Sequence, residues 1–224
     1  MPLPRADFDR HLLMLKDDVL SMGSMVEKSV FKAVDALKRR DLKASEEVVK
    51  DDDLIDQKRY EIEERCVDLI ATQQPMARDL RMVMALLHIT LELERMGDYS
   101  EGIARISIMM GEEAPIKPLI DVPRMAERAA EMLRHSLDAL VNRDVTLAQQ
   151  VWKDDDEVDM LHDQVYNELL MIMIQDPKTI KRATYLLWVA HNLERFADRA
   201  TNIAERAVYL VTGKFTEASK STNI

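Results

Sequence analysis

The chain repeats itself, and that repetition limits its folds more than any single motif does. Residues 34–37 read VDAL and residues 137–140 read LDAL. Residues 50–56 read KDDDLID and residues 153–159 read KDDDEVD, and both pairs are offset by 103 positions. Further on, LERMGD at 93–98 matches LERFAD at 193–198, now offset by 100. Matched blocks in one order point to an internal duplication, the pattern to seek before any other. Each half of the 224 residues must then build the same unit and bury its own modest core. The three-residue drift in offset belongs in the connections around Pro75 and Pro177, where insertions cost least.

The unit is predicted to be three helices. Gly numbers 5 and Pro 7 in the whole chain, too few for the tight turns of a β-protein, while Met, a good helix former, numbers 15. A first helix is expected over residues 8–40. Asp41 is placed to cap a second that ends near Gln74. Pro75 stands where a third would begin, a favoured place for Pro, and that helix runs to about Met110. The second unit repeats the plan, with Asp144 as cap and then Asp176-Pro177 as cap and first residue. Apolar spacing agrees: Ile55, Ile62, Cys66 and Leu69 share a helical face, as do Val158, Leu161, Val165 and Leu169, and both read as core. The expected fold is therefore all-α, a tandem duplication of a three-helix bundle with six long helices. Its units are residues 1–112 and 124–213, with a proline-marked linker over 113–123 and a polar tail over 214–224.

Bulk properties exclude several classes. Hydrophobic residues make up 47% and charged residues 32%, a globular balance. A net charge of −10 without a Lys/Arg cluster argues against nucleic-acid binding, which phosphate neutralisation drives. Acidity suits cations or basic partner surfaces, or simply solubility. The single cysteine, Cys66, excludes an intramolecular disulfide and a thiolate metal site and fits a reducing compartment. The start lacks an apolar signal core, and the longest apolar runs, 169–174 and 185–190, fall far short of the roughly 20 residues that span a bilayer. A cytoplasmic protein is expected, reaching a membrane only through partners.

The acids carry the functional signal. Asp52 and Asp56 lie one turn apart on one helix face, and Glu94 and Asp98 do the same on the next. In an antiparallel hairpin, residues equidistant from the turn lie at equal height. Positions 52 and 98, and positions 56 and 94, share the midpoint 75, the proline of the proposed turn. Asp155 with Asp198, and Asp159 with Glu194, share the midpoint 176.5, at Asp176-Pro177. At about 100° per residue, Leu87, Leu91, Glu94 and Asp98 fall within one arc, so the acids continue an apolar stripe; Leu187, Glu194 and Asp198 do likewise. Four carboxylates at such range repel unless protonated or neutralised. A bound cation is one remedy: hard oxygen ligands suit Mg, Mn, Fe(III) or Ca, and zinc also accepts carboxylates. The other remedy is an ordinary solvated charged face, with Arg95 and Arg195 as counter-charge.

These pieces resemble the PhoU family, accessory regulators of bacterial phosphate uptake. The resemblance is carried by MGSMVEKSV (22–30), KDDDLID (50–56), QQPMARDLR (73–81), LERMGD (93–98), DDDEVD (154–159) and LLWVAHNLERFADRATNIAE (186–205), and spans residues 8–209. It implies a tandem pair of three-helix bundles and paired acidic motifs that hold multinuclear metal clusters in some members. Those motifs fall on Asp52, Asp56, Asp155 and Asp159 and on Glu94, Asp98, Glu194 and Asp198, with Fe, Zn, Mn or Mg as the expected ions. The family's Asn after the last motif is Asn202 here, whereas the first copy has Gly102, so Asn202 is a candidate supporting residue. The resemblance further implies a non-catalytic regulator that contacts the ATPase subunit of a phosphate ABC transporter and a sensor histidine kinase and damps starvation signalling. A homodimer is the expected assembly.

The alternative is a ferritin-like di-metal carboxylate enzyme or metal store. Such sites use Glu-x-x-His pairs. No histidine here follows a Glu by three; Asp159-x-x-His162 comes nearest, and His162 reads as a surface residue. His88 and His191 do not align between the copies, which argues against a shared ligand role. A plain helical scaffold is the third possibility. No nucleophile–base pair or glycine-rich phosphate loop stands out.

Overall fold

The computed structural model describes residues 4–214 and is helical throughout, with no strand among them. The polar tail expected over 214–224 lies almost wholly outside the described residues. The order is α1 (Pro4–Arg39), α2 (Leu42–Gln73), α3 (Arg78–Met110), α4 (Asp121–Asn142), α5 (Val145–Gln175), a short 3-10 turn (Pro177–Thr179) and α6 (Ile180–Thr212).

The turn between the first two helices of each unit is built twice from the same dipeptide. Arg40 and Arg143 take left-handed conformations, at φ 59° and 55°. Each turns the chain so that the following aspartate N–H reaches back into the finished helix, Asp41 to the Ala36 carbonyl at 2.9 Å and Asp144 to the Ala139 carbonyl at 3.0 Å. Each aspartate then caps the next helix: Asp41 accepts from the Ala44 N–H and Asp144 from the Leu147 N–H, both at 3.0 Å.

The hairpin turns are where the copies diverge. Pro75 does not open α3. Gln74 closes α2 in the left-handed conformation, Pro75 lies in the connection, and α3 starts at Arg78. A residue before proline is kept out of the right-handed helical region, so α2 must stop at Gln74, and the chain needs three more residues to turn. In the second unit Asp176 caps the short turn that Pro177 opens, and α6 follows at Ile180. The second unit's first helix begins at Asp121, three residues before position 124, where that unit was expected to start. Pro123 sits in its first turn, where the missing N–H costs nothing.

Helices α1–α3 pack as one three-helix bundle, unit one, and α4–α6 as another, unit two. The predicted faces are buried: Ile55, Ile62, Cys66 and Leu69 in α2, and Val158, Leu161, Val165 and Leu169 in α5. The units join through α3 against α6 and α1 against α4, leaving α2 and α5 on the outside. One apolar core runs through both units. The α3–α6 seam is internally two-fold. Gly102 lies against Asn192, whose Nδ2 is 3.0 Å from where a Cβ would stand, while Glu92 accepts from Asn202 Nδ2 at 3.1 Å. Positions 92 and 192, and 102 and 202, are repeat equivalents, so each contact is the other's counterpart with donor and acceptor altered.

Candidate functional site

Helices α2 and α3 bring the first set of acids together. Gly97 makes this possible: Asp52 Oδ1 lies 3.0 Å from where a Cβ on Gly97 would stand, and Ile55 packs at 3.2 Å beside it. Asp52 thus abuts α3 at the level of Asp98. Burial pushes the Asp52 carboxyl up to about 7, and Glu101, Asp98, Asp56 and Asp53 add to the shift. Asp98, at the open rim, is raised to about 6 by partial desolvation, then by Glu94, Asp56 and Glu101, with Arg59 pulling it back. Asp98 therefore shares its surroundings with Asp52, Asp56 and Glu94, and Glu101 makes a fifth.

Glu101 and Arg59 join this group from outside the repeated motifs. Glu101 lies seven residues after Glu94 on the same face of α3, but its repeat equivalent is Thr201, so a search for matched positions passes over it. Arg59 follows Asp56 by one turn. Its Nη1 donates to Glu94 Oε1 at 2.7 Å and its Nε stands 3.1 Å from Glu63 Oε1. Arg59, not Arg95, is the internal counter-charge of unit one. Arg95 is exposed and makes no ion pair among the described residues.

In unit two the acids are held between α5 and α6. Asp155 and Asp198 are 8% and 5% exposed, more deeply placed than their unit-one counterparts. Glu194 is raised from its ordinary value by burial and then by Asp198; Arg195 and His191 draw it back, and Asp159 raises it further. These effects place Asp159, Glu194 and Asp198 in one group. Arg195 bridges it, with Nη1 3.0 Å from Asp198 Oδ2 and Nε 3.3 Å from Glu194 Oε2. Glu194 Oε2 is buried and accepts no hydrogen bond among the described residues. Asn202 points elsewhere, to Glu92 across the seam, where Arg199 Nη1 also approaches at 3.3 Å.

The donor chemistry fits a cation. Carboxylate oxygens are gathered with partial burial, which raises their proton affinity first, and their mutual repulsion raises it further. The side chains are not closed around a point, however. Among the described residues no group of three or more His, Cys, Asp or Glu could hold a metal ion as it stands. An ion would have to draw Asp52, Asp56, Asp98 and the Arg59-bound Glu94 together in unit one, and Asp155, Asp159, Glu194 and Asp198 in unit two.

Comparison with known proteins assigns the family. The PhoU domain family model matches twice, over residues 19–107 and 122–207. The phosphate-specific transport system accessory protein PhoU homolog of Aquifex aeolicus is 42% identical over 89% of this chain and 90% of that protein. The protein of the same name from Clostridium acetobutylicum is 38% identical over 95% and 97%. Among solved structures, PhoU from Pseudomonas aeruginosa superposes with TM-score 0.88 at 35% identity, covering 92% of this chain and all of that one. The phosphate transport system regulatory protein PhoU from Streptococcus pneumoniae gives 0.87 at 30%, covering 94% and 99%. With both units matched and relatives aligned along nearly their whole length, the chain belongs to the PhoU family.

Proposed function

We propose that the protein is a non-catalytic regulator of phosphate uptake and of phosphate-starvation signalling. The observation that carries this reading is the double family match, together with relatives named as accessory proteins of the phosphate-specific transport system. In this reading it acts in the cytoplasm, as a homodimer, by binding the ATPase subunit of a phosphate ABC transporter and a sensor histidine kinase. No helix among the described residues is long and apolar enough to cross a membrane, so membrane contact would come through those partners. Six long helices supply extended faces for two partners. A net charge of −10 favours basic partner surfaces, and such contacts weaken as salt rises.

The acids would hold the metal ions, drawn from Fe, Zn, Mn or Mg. A bound cation would neutralise the repelling carboxylates and tie α2 to α3 and α5 to α6. A ligand that favours the folded state raises its melting temperature. Asp98→Ala and Asp198→Ala should each lower the bound metal of protein purified without chelator. A melting temperature indifferent to Mg, Mn, Fe and Zn would remove the metal from this reading.

Deleting the gene should leave the starvation response switched on in phosphate-rich medium. A pull-down from membrane extract at low salt should recover the transporter ATPase or the kinase. Unchanged phosphate-regulated expression with neither partner recovered would overturn the regulatory reading.

A further inference from the structure

The α5–α6 hairpin carries a third matched pair. Positions 162 and 191 share the midpoint 176.5 with the two acid pairs, and both are histidine. The structure sets their rings 6.4 Å apart, inclined at 55°. His191 Nδ1 lies 3.6 Å from Glu194 Oε2, one turn along α6, while His162 stands one turn beyond Asp159 on α5. Unit one offers Arg59 and Leu91 at the same height. Core packing does not explain the imidazoles, since the His191 side chain is 52% exposed and that of His162 25%.

We propose that His162 and His191 join Asp159 and Glu194 in a mixed nitrogen and oxygen site for a divalent transition ion such as Zn²⁺, a site that unit one lacks. This rests on the metal reading of the unit-two acids, not on the regulatory one. Two donors on one tetrahedral zinc sit about 3.3 Å apart, and two ligating imidazole centroids about 5 Å apart. The observed 3.6 Å is close to the first value, and at 6.4 Å the rings stand about 1.4 Å too far apart until they turn. Closure asks for three side-chain movements, each by a group at least a quarter exposed. His191 must turn, and Arg195, 43% exposed, must swing away from Glu194. His162 must also give up its 3.7 Å contact with exposed Asp163. Arg59 is 21% exposed and held by Glu63 and Glu94, so unit one keeps its own cation. Imidazole nitrogen suits zinc, copper, nickel and iron and is a poor ligand for Mg²⁺ or Ca²⁺. The two units should therefore prefer different ions.

The test uses full-length, metal-free, ¹⁵N-labelled protein titrated with ZnCl₂ and, separately, MgCl₂, following the imidazole signals. Of the five histidines, only His162 and His191 should shift with zinc, and neither with magnesium. The double variant His162→Gln/His191→Gln should lose zinc affinity at one site by at least about tenfold, with magnesium affinity unchanged. Its folding is checked by helical circular dichroism. If zinc binds while either ring stays unmoved, or the double variant binds zinc as wild type does, the histidine site is overturned and carboxylates alone hold the ion. If wild type binds neither ion, the metal reading itself fails, and the histidine site with it.

Discussion

The two hairpins present the same problem and solve it differently. In each, a half-buried or buried group of acids must be compensated, because a charge taken out of water without a partner is costly. Unit one uses a guanidinium wedged between helices: Arg59 spans from α2 to Glu94 on α3. Unit two uses an arginine on the same helix as its acids, Arg195, together with His191. Gly97 lets Asp52 lie against α3, where unit two has Ala197. The lesson is that duplication repeats the positions of the acids but leaves the compensating charge free to move. Arginine is long enough to serve a carboxylate from several neighbouring positions, whereas a short aspartate must occupy its own.

The largest expected effect tests the counter-charge directly. Arg59→Met leaves Glu94 without its partner and should cost about 2 kcal/mol in urea unfolding of the metal-free protein at neutral pH. Arg195→Met should cost less, about 1 kcal/mol, since that side chain is 43% exposed and His191 stays beside Glu194. Equal losses would erase the distinction between the units.

The glycine comes next. Gly97→Ala gains roughly 1 kcal/mol of helix propensity. Against that, its new Cβ meets Asp52 Oδ1 at 3.0 Å and Ile55 at 3.2 and 3.3 Å. Crowding of that kind costs about 1–3 kcal/mol, so the net result should be a loss of about 1 kcal/mol. Ala197→Gly in unit two should also destabilise, by about 1 kcal/mol from helix propensity alone. A stabilised Gly97→Ala variant would show that Asp52 can step aside.

The pH response should separate the units as well. Asp52 and Asp98 have folded values near 7 and 6, above the ordinary 3.8. The folded state then binds protons that the unfolded state has released, so stability from these groups is present at low pH and lost as pH rises through those values. In chelator, the advantage of Asp52→Asn over wild type should grow as pH climbs from about 4 to about 7. Glu194→Gln should show the same sign with a weaker trend, because Arg195 and His191 already draw Glu194 back. An advantage of Asp52→Asn over wild type that shrinks over that range would contradict the placement of Asp52.

The smallest effect concerns Asn202. Asn202→Ala breaks one hydrogen bond to Glu92, where Arg199 remains, and should cost about 0.5 kcal/mol. Bound metal should be unchanged, because the Asn202 amide serves the seam between units. Loss of metal without loss of stability would return Asn202 to the acid group.

Much of this was legible in the chain. Asp41 and Asp144 declared themselves as caps because capping is local chemistry, decided within three residues. Counting from the turn sets Asp52 beside Asp98 and Asp159 beside Glu194, and the structure brings both pairs within each other's influence. The start of α3 falls later than Pro75 suggests, because the stronger effect of that proline is on Gln74 before it. His162 and His191 obey the same midpoint rule as the acids, but comparison between copies hides them, as it hides Glu101.

The sequence by itself determined the number and order of the long helices, the duplication and the spacing of the acids along each helix. These depend on spacing and on contacts a few residues apart. Tertiary structure alone decided which cation meets which acid, that α3 would lie on α6, and that Asn202 would answer Glu92 across that seam. The physical reason is that periodicity sets the height and face of a residue. The rotation of one packed helix against another, and the reach of a long charged side chain, are settled only when the cores close.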